Sequence, residues 1–185
     1  AMQTSPNHSV LFDDSLVRVI TVTEKPAPPG KLHKHDVNRV MIYLDAGRMR
    51  LDFKDTGPKD FTVAPGMVRW DPAGGLHTSQ TLGSQSFRIV EIEIKKPHGA
   101  PVRFPELDPV RIDPQHYKVE LENDQVRVIR AKFEAGYQTP EHEHVLPRVA
   151  VYLTGYQLRV TGADGKVTTP RGPAGQVLLG GPSRH

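Results

Sequence analysis

The sequence predicts an all-β chain whose main unit is written twice. Three observations predict this. The 16 Gly and 17 Pro break a chain of 185 residues into short Val, Ile, Leu and Phe runs, a punctuation that suits strands and stops helices. Many runs alternate apolar and polar residues with the period of a half-buried strand. Third, segments in the two halves match at a constant offset of 109 positions.

Residues 1–9 are polar and read as loose, with Ala1-Met2 resembling a vector remnant before a native methionine. Val10-Leu11-Phe12, an Asp13-Asp14-Ser15 turn and Leu16 to Val22 read as two strands, matched by Val119 to Ala131. Val-Arg-Val-Ile stands at 17–20 and again at 126–129, 109 positions later. Val40-Met41-Ile42-Tyr43-Leu44 is apolar throughout, the pattern of a strand buried on both faces, and Val149-Ala150-Val151-Tyr152-Leu153 repeats it. Met49 to Phe53 and Gln157 to Thr161 alternate, each ahead of a polar hairpin tip. Gly66 and Gly175 then precede Met67 to Trp70 and Gln176 to Leu179, and Ser86 to Ile94 closes the first copy with an alternating strand. The expected domains are 8–96 and 117–185, joined by a connector over 97–116 whose prolines suit extended chain. Phe104 and Leu107 are its candidate anchors.

The chemistry lies in His33-Lys34-His35. Side chains at i and i+2 of a strand leave from one face, so the two imidazoles share a space, the beginning of a metal site. With nine histidines in the chain, a chance His-x-His arises about once in every two or three such sequences. The second copy decides the matter: His142 and His144 repeat His33 and His35, and Arg148 repeats Arg39, all at an offset of 109. A third histidine follows in each half, His77 and His185, at an offset of 108, so the second half has lost one residue before it.

Composition narrows the function. Lys and Arg are scattered and the formal charge is only +3, which argues for solubility and against a nucleic-acid partner. There is no transmembrane-length apolar run, so no membrane partner is expected. The start leans towards the cytoplasm, with an exported chain that has lost its signal left open. With no cysteine, disulfides and thiol chemistry are excluded and any metal must be held by His, Asp or Glu. No phosphate-binding loop or serine-hydrolase pattern is present.

A His-x-His pair, a residue four further on, a Pro-Gly turn and a last histidine, twice over, resemble the cupin superfamily, and the tandem arrangement resembles a bicupin. The resemblance implies two jelly-roll β-barrels, the second lacking its last strands. It implies metal ligands at His33, His35 and His77 in the first barrel and at His142, His144 and His185 in the second. The superfamily's usual fourth ligand is a glutamate, whereas Arg39 and Arg148 stand here; a guanidinium has no lone pair to give. The implied centre therefore resembles the three-histidine variants, among them thiol and diketone dioxygenases. Such a centre would hold Fe, Mn, Ni or Zn with positions open to substrate.

The expected function is a metal-dependent enzyme acting on a small, possibly anionic, organic substrate, as a dioxygenase, isomerase or lyase. Arg39 is the candidate clamp for substrate charge, against the alternative of a structural salt bridge. Tyr43 is the candidate acid, against the alternative of core filling. The rival reading is a non-catalytic bicupin that binds or senses a small ligand. The short second half has three explanations: a truncated chain, a strand supplied by a partner copy in a homo-oligomer, or a degenerate barrel.

Overall fold

The computed structural model describes residues 7–95 and 101–185. The chain divides into two compact units, the first running to Gly99 and the second from Ala100. The domain boundary expected at 96/97 and most of the loose N-terminal segment lie outside the described residues.

The first unit contains β1 (His8–Asp13), β2 (Val17–Glu24), β3 (His33–His35), β4 (Arg39–Tyr43), β5 (Gly47–Phe53), β6 (Gly57–Val63), β7 (Val68–Asp71), β8 (Gly74–Leu82) and β9 (Phe87–Ile94). They form two antiparallel sheets, ordered β1-β2-β9-β4-β7 and β3-β8-β5-β6. The sheets sandwich one core. Ile20, Val22, Met41, Tyr43, Phe87 and Ile89 come from the first sheet, and Met49, Leu51 and Val63 from the second. The periodicities explain this division. On β5, Met49 and Leu51 are buried while Arg48, Arg50 and Asp52 are exposed; all five residues of β4 are buried, as its unbroken apolar run requires.

The second unit contains α1 (Pro109–Ile112), β10 (Tyr117–Glu122), β11 (Arg127–Ala131), β12 (Glu143–His144), β13 (Arg148–Val151), β14 (Tyr156–Gln157), β15 (Val160–Thr161), β16 (Val167–Thr168), β17 (Arg171–Gly172), β18 (Val177–Gly180) and β19 (Ser183–Arg184). Its strand pairs reproduce the first unit. Arg39 faces Asp71 across β4 and β7, and Arg148 faces Gly180 across β13 and β18. Even the irregularity is copied: the β1–β2 register shifts between Val10 and Phe12, and the β10–β11 register between Val119 and Leu121. The Pro-Gly turns also recur. Gly66 and Gly175 have φ of +82° and +88°, a conformation that glycine adopts without strain.

In the second unit these pairs remain separate two-stranded ladders. In the first unit they are joined through β9 and the later part of β8. The buried apolar side chains divide accordingly: among the described residues Tyr117 and Val177 are the buried large apolar residues of the second unit, against a continuous core in the first.

The segment expected to be extended throughout contains one helical turn, α1. Pro109 stands at its start, where the missing N–H would have no partner in any case. The same segment packs against the second unit. The Phe104 ring lies 3.9 Å beneath the Arg127 guanidinium, the Leu107 carbonyl accepts from the Glu143 amide at 2.9 Å, and Asp108 takes Arg127 Nη1 at 3.0 Å. Among the described residues no helix is long and apolar enough to cross a membrane.

Gly47 begins β5 against the face of Phe87, and a Cβ there would collide with the ring. Phe87 is completely buried, so Gly47→Ala should destabilise the first unit by roughly 1–3 kcal/mol. Trp70, the sole tryptophan, lies on β7 of the same unit, so its fluorescence in a urea titration reads the loss directly.

Candidate metal centre

In the first unit β3 pairs with the start of β8, and His33 stands opposite His77. The His33 and His35 rings lie 5.1 Å apart, His33 and His77 4.5 Å, and His35 and His77 5.6 Å. The second unit builds the same triangle. His142 and His185 exchange two backbone hydrogen bonds of 2.8 and 3.0 Å, and the three ring separations are 4.9, 4.4 and 5.3 Å.

The triangles match although one residue is missing between them. In the first unit His35 pairs with Gly74, so the two steps from His33 to His35 oppose three from Gly74 to His77. That is a β-bulge, and Gly74 and Gly75 take its positive φ of +94° and +69°. In the second unit His144 pairs with Ser183, and two steps oppose two. The deleted residue is therefore the bulge residue, and its loss straightens the strand while keeping the third imidazole in place.

Hydrogen bonds fix how the rings present themselves. His33 Nδ1 donates to the Lys31 carbonyl at 2.7 Å, His77 Nδ1 to the Gly75 carbonyl at 2.6 Å, and His142 Nδ1 to the Pro140 carbonyl at 2.9 Å. With the proton on Nδ1, the lone pair of Nε2 is left for a metal. In each triad one ligand nitrogen from every ring lies within 4.8 Å of the others. Metal–nitrogen bonds of 2.0–2.1 Å place tetrahedral ligands about 3.4 Å apart, so small side-chain rotations close either set on an ion. Burial, followed by the charge of the neighbouring arginine, holds His35 and His144 at about 3. Burial, the nearby His142 and Arg148 hold His185 at about 4. These rings are neutral, as ligands must be. The residues present fit a divalent transition metal in both units.

The two arginines differ. Arg39 is buried and carries Asp71 at 2.7 Å and Glu91 at 3.2 Å. Arg69 also contacts Asp71, and a separate Arg18–Glu93 pair lies on the neighbouring strands of the same sheet. The Arg39 pairs match the structural salt bridge that stood as the alternative to a substrate clamp. Tyr43 is fully buried beside Phe87 in the core, with its hydroxyl unpartnered, and burial raises its pKa, which matches the core-filling alternative to the acid role. Arg148 is half-buried, and its Nη1 donates to the Gly181 carbonyl and to Ser183 Oγ, both at 3.1 Å.

Tyr117 is a site residue that the sequence reading passed over. It lies buried, with its hydroxyl 3.5 Å from His142 Nε2, and burial pushes its pKa up to about 12, so it is a neutral donor. The offset could have found it, because its counterpart 109 positions earlier is His8, at the start of β1.

No family model matches the sequence, and no curated protein matches it. Solved structures do resemble it. A cupin domain protein from Bordetella pertussis Tohama I is 24% identical over 52% of this chain and 100% of its own, with a TM-score of 0.43. The polyketide cyclase RemF from Streptomyces resistomycificus is 21% identical over 58% of this chain and 77% of its own, at 0.41. An RmlC-like cupin family protein with a double-stranded β-helix fold from Methanocaldococcus jannaschii is 15% identical over 47% and 77%, at 0.40.

Asp71→Ala would leave the buried Arg39 with Glu91 as its close partner. Removing one member of a buried ion pair costs roughly 3 kcal/mol, so the urea midpoint read by Trp70 should fall while the far-ultraviolet spectrum of the folded chain is unchanged. An unaltered midpoint would show that the pair does not hold β4 to β7.

Proposed function

We propose that each unit of this chain is a cupin-like barrel and that the chain is a metal-dependent enzyme acting on a small organic substrate at three-histidine centres, one in each unit. The observation that carries the proposal is the pair of matching triads, each with its ligand nitrogens within 4.8 Å of one another. Backbone carbonyls orient His33 and His77 in one and His142 in the other.

His33, His35 and His77 would hold one ion, and His142, His144 and His185 the other. A bound Fe(II), Mn(II), Ni(II) or Zn(II) would supply a Lewis acid or, for a redox-active ion, a site for O₂ activation. The protein supplies the rest. The carbonyls of Lys31, Gly75 and Pro140 hold rings in the tautomer that presents Nε2. Arg39, held between Asp71 and Glu91, stiffens β4 next to His35 without offering a free charge to substrate. Tyr117 keeps its proton and can donate a hydrogen bond to a ligand oxygen beside His142.

Elemental analysis of tag-free protein tests the ligand assignment. About two equivalents of transition metal are expected, falling to about one in the His33→Ala/His35→Ala variant. Adding His142→Ala and His144→Ala should remove the rest. Metal content that does not change across this series would refute the assignment. Metal-dependent consumption of small carboxylic acids, followed by proton NMR and lost in the fourfold variant, supports the enzyme; retained metal without turnover of any of them favours the binding module.

A further inference from the structure

We infer that the second triad is the one built to receive a small carboxylate, gripped by Arg148. The inference deepens the reading above, since the carboxylate would sit beside an ion held by His142, His144 and His185, although the grip itself needs only the arginine.

Arg148 opens β13 as Arg39 opens β4, yet their surroundings have diverged. Arg39 is neutralised by Asp71 and Glu91. The position opposite Arg148, equivalent to Asp71, is Gly180. Among the described residues no carboxylate pairs with Arg148, and its hydrogen bonds go through Nη1 alone, to a carbonyl and a hydroxyl. The Nε and Nη2 edge is left with two parallel N–H groups, the fork that takes both oxygens of one carboxylate.

Gly180 does more than omit an acid. A Cβ at that position would lie 3.1 Å from Arg148 Nε and 3.2 Å from Cζ, so the glycine is also the floor on which the guanidinium lies. The second unit has not shed acids indiscriminately. Arg127, the counterpart of Arg18, is paired with Asp108 at 3.0 Å and Glu122 at 3.1 Å.

The arginine is tied to the triad. Ser183 Oγ, which accepts from Arg148 Nη1, lies 3.4 Å from His185 Nδ1, and Tyr117 adds a neutral donor 3.5 Å from His142 Nε2. Without an acid beside it, the Arg148 guanidinium leaves one positive charge next to the triad, which one carboxylate neutralises. In the first unit Asp71 and Glu91 already neutralise Arg39.

The test is anion protection of Arg148 against phenylglyoxal, read by peptide mass spectrometry on the full chain, metal-free and metal-loaded. Acetate at several times its half-saturating concentration should slow modification of Arg148 roughly fivefold and leave Arg39 and the exposed arginines unchanged. Inorganic phosphate should protect less. An Arg148 rate indifferent to acetate overturns the inference, and stronger protection by phosphate overturns the assignment to a carboxylate. Gly180→Asp, which restores the acid of the first unit, should abolish protection; protection that survives it places the anion elsewhere and overturns the proposal. Acetate protection in a chain that retains no metal keeps this inference and removes the metal reading, while metal retention without protection does the reverse.

Discussion

His33 faces His77 across an antiparallel strand pair, and His142 meets His185 through two reciprocal backbone hydrogen bonds. A His-x-His strand alone offers two imidazoles on one face, which binds a metal poorly. Pairing it with the strand that carries the last histidine turns two ligands into three, because residues opposed across a ladder lie close enough for their rings to touch. The sheets, the turns and the first unit's core serve to hold that register. A one-residue slip would send the third ring to the opposite face.

That constraint explains which differences between the halves are tolerated. The residue lost from the second copy is the bulge residue between the positions of Gly74 and His77, and the bulge absorbed it. The ring separations in the two triads then agree to within 0.3 Å. Charge around the triads has been under no such constraint. Gly180 stands where the first unit has Asp71, and Tyr117 where it has His8, so one framework surrounds its histidine triads with two different electrostatic environments.

Much of this was legible before any coordinates. The offset of 109 located β10, β11, β13 and β18 of the second unit, because a duplicated register preserves the sequence distance between facing residues; β16, β17 and β19 were not read from the sequence. The alternation at Met49 and Leu51 and the unbroken run at Val40 to Tyr43 gave the burial of β5 and β4 directly. The helical turn at Pro109 was missed because proline was read as a breaker, when at a first helical position it is favoured. The surroundings of Arg39 and Tyr43 were out of reach of the sequence for a different reason. Proximity to the motif in sequence says nothing about the acids that a distant strand brings up, and Asp71 and Glu91 arrive from β7 and β9. Asking what stands 109 positions after Asp71 would have exposed the difference at Gly180 without a structure.

Two arginines inherited from one ancestral position cannot count as two observations of one role. In the first unit the guanidinium is nearly sealed, and its partners close the gap between β4, β7 and β9. Removing it would leave two carboxylates facing each other in a partly buried space, so its retention is explained by stability alone. In the second unit no carboxylate among the described residues pairs with Arg148, and burial lowers its pKa against the opposing influence of Tyr152 and Tyr117. A half-buried charge kept in that condition costs free energy, as a group does when its compensation comes from outside the protein. Stability accounts for the first arginine, and the carboxylate proposed above would supply the countercharge that the second lacks.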